Sequence, residues 1–212
     1  LIEFDRVSVR RGGKLILDQV SFDIQKGSKV VFQGRSGAGK TSILLTLTGV
    51  LVPETGAVRF DGQTVDHRNV NRLRAAIGFI GQEPLMGADV VRDALLLPFR
   101  FKANRERMPE QAVIHGTLER VNLDPGILDR GTAAISGGEK QRLAIARALL
   151  LQKTVLLADE ITSALDEESK QAVLEILGTP DLTILSVSHD RDWASRCDRR
   201  LELERGRLTA VR

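Results

Sequence analysis

The sequence has no tyrosine, one tryptophan and one cysteine, and aromatic residues make up only 4% of its 212 positions. A lone cysteine, Cys197, excludes an internal disulfide and reads as a small core side chain in a reducing compartment. Long apolar runs are missing too. The most apolar stretch, residues 43–52, is broken by Thr46, Thr48 and Gly49 and falls far short of the ~20 residues of a spanning helix. No charged, then apolar, then small-residue leader opens the chain, so any membrane association is expected to be peripheral. The first residue is Leu1 rather than Met, and a few preceding residues are expected. Nor is there an excess of one charge: 31 Lys+Arg against 28 Asp+Glu leave a formal +3, spread along the chain. That gives a nucleic-acid or anionic-membrane surface little support.

What is present is the make-up of an ordinary globular protein, 42% apolar and 28% charged, long enough to bury one sizeable core. No repeat or low-complexity linker divides it. Residues 2–9 and 16–24 alternate in the strand manner, and 29–32 is a short apolar run, the pattern of a buried strand. Residues 41–50 read as a helix, and 57–60 with Asp61-Gly62 as a strand and turn. From about 84 to 135 the character changes. Pro98, Pro109 and Pro125, a charged stretch at 102–107 and helical periodicity over 109–121 predict a mostly helical insertion. A strong helix over 137–151, a strand at 154–158, a helix at 167–177, a strand at 182–187 and a hairpin over 201–211 follow. This alternation predicts an α/β fold with a mainly parallel sheet, preceded by an N-terminal antiparallel β subdomain.

Gly34-Arg35-Ser36-Gly37-Ala38-Gly39-Lys40-Thr41 completes the P-loop pattern, between a predicted strand and a predicted helix. Glycines let successive N–H groups converge on one anion, and the helix N-terminus adds partial positive charge. Lys40 is expected to reach the β- and γ-phosphates of ATP and the Thr41 hydroxyl to ligate Mg²⁺, with Ser42 beside them. The competing reading is a glycine-rich turn with a chance Lys-Thr, against which pattern and context agree.

Residues 155–158 are wholly apolar and deliver Asp159-Glu160, two acids at the C-terminal edge of a buried strand, where α/β sheets bind ligands. Asp159 is expected to hold Mg²⁺ through water, and Glu160 to polarise the attacking water. Read blandly, they are surface acids capping the next helix. Ser136-Gly137-Gly138 places a hydroxyl and two glycines at another helix start. Taken alone, that is better read as an ordinary Ser N-cap than as a second anion site.

Residues 135–142, Ile-Ser-Gly-Gly-Glu-Lys-Gln-Arg, resemble the signature motif of ATP-binding-cassette proteins, and other family elements follow in order. Gln82 resembles the Q-loop glutamine, Ser163-Ala164-Leu165-Asp166 the D-loop, and His189 the switch histidine. His67 and His115 match no motif. The resemblance spans essentially the whole chain. It implies the cassette ATPase fold and Mg-dependent ATP hydrolysis with Glu160, His189, Gln82 and Lys40 catalytic. It also implies a head-to-tail homodimer with two ATP molecules, in which Ser136, Gly137, Gly138 and Asp166 work across the interface. Thr41, Gln82 and Asp159 are implied around Mg²⁺. A separate polytopic membrane subunit is the implied partner, with the chain cytoplasmic and peripheral on the inner or plasma membrane; nucleic acid is not expected.

Four positions depart from the family pattern: Ile135 for Leu and Glu139 for Gln in the signature, Ile161 for Pro after the acids, and Arg11 where an aromatic residue usually stacks on adenine. A guanidinium plane can stack on a base, so an Arg11–adenine contact is expected. The Asp159–Glu167 run, the short chain and Leu96-Leu97-Pro98-Phe99 resemble ATPase subunits of bacterial iron-export and metal-tolerance systems. Residues 90–101 read equally as a docking surface for the membrane subunit and as subdomain core. Two alternatives stand beside this. A cassette acting on DNA or ribosomes usually carries coiled-coil insertions or a second cassette, and neither is seen. A non-hydrolysing regulatory module commonly loses the base that Glu160 supplies.

Overall fold

A computed structural model describes residues 1–211. In chain order the elements are β1 (Ile2–Arg11), β2 (Lys14–Ile24), β3 (Lys29–Gln33), α1 (Lys40–Leu47), β4 (Thr55–Phe60), β5 (Gln63–Thr64), α2 (Val70–Ala76) and β6 (Ile77–Ile80). They continue with α3 (Val91–Leu96), α4 (Gln111–Arg120), α5 (Gly137–Leu150), β7 (Val155–Asp159), α6 (Glu167–Leu177), β8 (Thr183–Val187), α7 (Arg191–Arg196), β9 (Arg199–Glu204) and β10 (Arg207–Val211). The chain divides into two compact units, one of residues 1–78, 154–160 and 180 onward, the other of 79–153 and 161–179.

The first unit holds an antiparallel sheet, β2-β1-β4-β5, and the larger sheet of order β10-β9-β3-β8-β7-β6 as far as residue 78 of β6. Strand β3 pairs in parallel with β8 and β9, and β7 in parallel with β8; the terminal hairpin β9–β10 is antiparallel. Strands β7 and β8 are buried at every residue, which explains why their sequences are continuous apolar runs rather than alternating ones. Strand β1 alternates, with Ile2 and Phe4 inward and Glu3 outward. Phe4 stacks on Phe22 with centroids 4.5 Å apart, and Phe22 meets Phe32 of β3 edge-on at 5.2 Å, so aromatic contacts join the two sheets.

The N-terminal strands run further than their apolar alternation predicts, to a tight turn at Gly12-Gly13, because turn chemistry and pairing extend them beyond the buried residues. Helix α1 ends at Leu47 instead of reaching residue 50, since Gly49 turns the chain with φ 69°. Cys197 is half-buried rather than a core residue; burial, then the Asp198 carboxylate, pushes its thiol up to about 12.

In the second unit α4 packs on α5, and short 3-10 turns such as Leu97–Arg100 and Pro125–Asp129 fill the intervals that proline interrupts. Within residues 90–101, Val91, Ala94, Leu95 and Phe99 are interior, while Val90 and Phe101 stay exposed. The stretch is mainly subdomain core with an apolar remainder on the surface. No helix among the described residues is long and apolar enough to cross a membrane.

Candidate functional site

Strand β3 delivers the chain to the loop 34–39 from the middle of a parallel sheet, at the C-terminal strand edge. Gly34 has φ 140°, and a Cβ there would lie 2.2 Å from the Leu203 carbonyl oxygen, so only glycine fits between loop and β9. Arg35, Ser36 and Gly37 are exposed and Ala38 is buried. Lys40, 8% exposed at the start of α1, folds back so that its Nζ donates to the Gly34 carbonyl at 2.7 Å and the Arg35 carbonyl at 3.1 Å. An ammonium held by two loop carbonyls is positioned to exchange them for phosphate oxygens.

Strand β7, two places from β3, ends at Asp159, which is buried. The Thr41 hydroxyl donates to Asp159 Oδ2 at 2.7 Å, across 118 residues of sequence. A hydroxyl and a carboxylate oxygen side by side are hard donors of the type magnesium takes when phosphates and water supply its other ligands. The described residues contain no cluster of three or more His, Cys, Asp or Glu that would form an all-protein metal cage. The donor set therefore fits Mg²⁺ accompanied by a nucleotide.

Glu160 has φ 53°, a left-handed backbone that a side-chain-bearing residue adopts only at a cost. Its N–H donates to the Val187 carbonyl at 2.8 Å, which anchors that turn to the end of β8. The side chain, 17% exposed, brings Oε1 to 3.6 Å from His189 Nε2, on a ring that is 61% exposed. Behind His189, Asp190 caps α7 by accepting from Asp192 and Trp193 N–H groups. Trp193 is fully buried, and its Nε1 donates to Ser186 Oγ at 2.8 Å, fixing the helix that follows the histidine. The Ser186–Trp193 pair was not singled out from sequence; the only signal was the lone tryptophan one turn beyond His189.

Arg11 is exposed at the end of β1, opposite Lys14 across the Gly12-Gly13 turn. The strand leaving that turn touches the phosphate loop: a Cβ on Gly39 would lie 2.9 Å from the Ile16 carbonyl oxygen. Lys40, Thr41, Asp159, Glu160, His189 and Arg11 all belong to the first unit.

Gln82, Ser136, Gly137, Gly138 and Asp166 belong to the second. Ser136 opens α5 in a full capping box, its Oγ accepting from Glu139 N–H at 3.1 Å while Glu139 Oε2 accepts from Ser136 N–H at 2.6 Å. Burial works against the Glu139 charge, yet the Ser136 bonds and Arg130, at 2.8 Å, leave its carboxyl below the usual range. Ile161, one of the four departures, is completely buried. Ser136 and Gly137 stay exposed, and Gly138 lies against the 163–166 turn. Gln82 is exposed, and its backbone carbonyl accepts from Gln141 Nε2 at 3.2 Å. Asp166 caps α6 by accepting from both the N–H and the hydroxyl of Ser169, each at 2.9 Å.

A sequence model of the ABC transporter family matches residues 17–163. The chain belongs to that family. This ABC ATPase is 33% identical over 208 residues to the probable iron export ATP-binding protein FetA of Escherichia coli K12, covering 96% of the chain and 91% of the relative. It is 34% identical over 200 residues to the energy-coupling factor transporter ATP-binding protein EcfA1 of Enterococcus faecalis, covering 91% and 71%. Its fold superposes on a dimeric ATP-binding cassette in a post-hydrolysis state, bound to ADP and Pi, with a TM-score of 0.86 and 25% identity over 100% of this chain and 98% of that one.

Proposed function

We propose that this ABC ATPase is the Mg-ATP-hydrolysing subunit of a transporter, working as a head-to-tail homodimer on a separate polytopic membrane subunit, and that the system exports a metal such as iron. The reading rests on one observation above all: Thr41 bonded to Asp159 at 2.7 Å, and Glu160 3.6 Å from His189, at one edge of a parallel sheet. Residues 34–42 cradle the triphosphate, with Lys40 on the β- and γ-phosphates, and Arg11 lies over adenine. Thr41 and Asp159 would hold Mg²⁺, with Gln82 as the further ligand that the Q-loop resemblance implies, and the ion would supply positive charge against the phosphates. Glu160 orients a water in line with the γ-phosphorus and takes its proton as the bond to the ADP oxygen breaks, while His189 donates a hydrogen bond to the γ-phosphate. Ser136, Gly137 and Gly138 of the second copy close over the γ-phosphate, and Asp166 meets the other subunit. The whole chain, 1–212, acts as one cassette with the helical segment of about 84–135 inserted in it. Leu85, Val90 and Phe101, exposed and apolar, are the surface that meets the membrane subunit on the cytoplasmic face.

Similarity to FetA over 91% of that protein supports metal export, whereas EcfA1 carries a different transporter name. Inverted membrane vesicles holding the chain with its membrane subunit test both levels. Expected are ATP-dependent iron accumulation and ATPase activity, both abolished in Glu160→Gln, with nucleotide affinity retained. Hydrolysis without iron movement removes the substrate assignment; activity that survives in Glu160→Gln removes the assignment of the base.

A further inference from the structure

Helix α5 carries Gln141 and Arg142 in its second turn, about 100° apart around the axis, so they leave the helix toward different neighbours. Gln141 donates to the Gln82 carbonyl at 3.2 Å, and Arg142 donates to Ser169 Oγ at 2.7 Å. Ser169 sits in the first turn of α6 and is 1% exposed. A hydroxyl has one proton to donate and two lone pairs to accept with. Here the proton goes to Asp166 Oδ2 at 2.9 Å, and the lone pairs face Arg142 and, at 3.3 Å, Asn122 Nδ2. Arg142 also donates to the Asn122 carbonyl.

Capping α6 needs only Asp166 and the Ser169 N–H; a guanidinium from another helix is superfluous to it. The close approach of backbone nearby has the same direction. A Cβ on Gly138 would lie 2.6 Å from the Ala164 carbonyl oxygen, so the start of α5 rests directly on the 163–166 turn. Two independent contacts therefore tie the helix that presents Ser136 and Gly137 to the turn that presents Asp166.

We propose that Ser169 is a positioning residue for ATP hydrolysis: by joining Arg142 to Asp166 it sets the register between the Ser136–Gly138 helix start and the 163–166 turn. The inference rests on the reading above, in which both elements work on the nucleotide of the opposite copy. The hydrogen-bond partners of Ser169, namely Asp166, Arg142 and Asn122, are not among the residues that bind nucleotide within its own chain. Its loss acts on steps that need the second copy and leaves first-copy nucleotide affinity alone.

The test uses the full chain with Ser169→Ala, Arg142→Lys and the double variant. Each single change is expected to lower kcat about tenfold, the size of one hydrogen bond to a charged partner, with ATP affinity of the monomer unchanged and the thermal midpoint lowered by only about a few degrees. In the Glu160→Gln background, each raises the protein concentration needed for ATP-driven pairing by about the same factor. The double variant is no worse than the stronger single, because both cut one node. Amide hydrogens of residues 163–166 exchange faster in Ser169→Ala, while those of 34–39 do not. Unchanged kcat, pairing and exchange overturn the proposal, as does a loss of kcat that only follows a matching loss of ATP affinity or thermal midpoint. Failure of the underlying reading shows separately, as a parent chain that neither pairs nor turns over ATP. The exchange comparison still decides whether Ser169 holds the turn.

Discussion

Glu160 and Gly138 illustrate two ways in which one residue's backbone carries chemistry. A left-handed φ on a glutamate costs on the order of 1 kcal/mol, and here it is imposed by the bond from its N–H to Val187. The turn sends adjacent acids to different partners, Asp159 to Thr41 and Glu160 to His189. At Gly138 the constraint is space. Gly138→Ala puts a methyl 2.6 Å from the Ala164 oxygen, so the helix start or the turn must move. ATPase activity is expected to fall by at least about tenfold, with monomer ATP affinity unchanged by calorimetry; a variant as active as the parent refutes the close-approach argument. Arg11 lies at an exposed turn beside the phosphate loop, and Arg11→Ala is expected to weaken ATP binding several-fold, by roughly 1 kcal/mol of lost stacking. An unchanged affinity removes the adenine contact.

Helices α5 and α6 both start on side-chain caps, Ser136 and Asp166, and α6 also buries an apolar face of Val173, Leu174, Ile176 and Leu177. Bonds from the Ser169 backbone and hydroxyl hold the Asp166 carboxyl below the usual carboxylate range, with Arg142 adding to this. A carboxyl whose folded pKa lies below its unfolded value of about 3.9 stabilises the fold fully above that value, and the contribution disappears as pH falls through the folded pKa. Asp166→Asn is therefore expected to lower the urea midpoint at pH 7 and to flatten its decline below about pH 4. Equal slopes for the two proteins would show that the carboxylate contributes nothing to stability. The Ser136 cap was legible in the sequence, because a cap spans a single turn; the Asp166 cap on Ser169 was not singled out there. The bond from Arg142 to Ser169 spans 27 residues and left no such trace.

At the scale of the whole molecule, the site residues fall in two compact units, and in the proposed dimer the second unit of one copy completes the nucleotide site in the first unit of its twin. ATPase rate should then rise more steeply than protein concentration at low concentration and become linear once pairing saturates. Strict proportionality over a wide dilution series would mean that one chain is sufficient. Sequence alone determined the phosphate loop, the apolar strand that ends in two acids, the Ser136 cap and the mainly parallel α/β class, because each is written in contacts between near neighbours or in runs of burial. Tertiary structure alone decided that Thr41 meets Asp159, that Glu160 turns toward His189, and that Ser169 gathers Arg142, Asn122 and Asp166. Those meetings depend on strand order, on the backbone angle where a strand ends, and on which polar atoms must find partners once a helix is buried, and no local spacing encodes them.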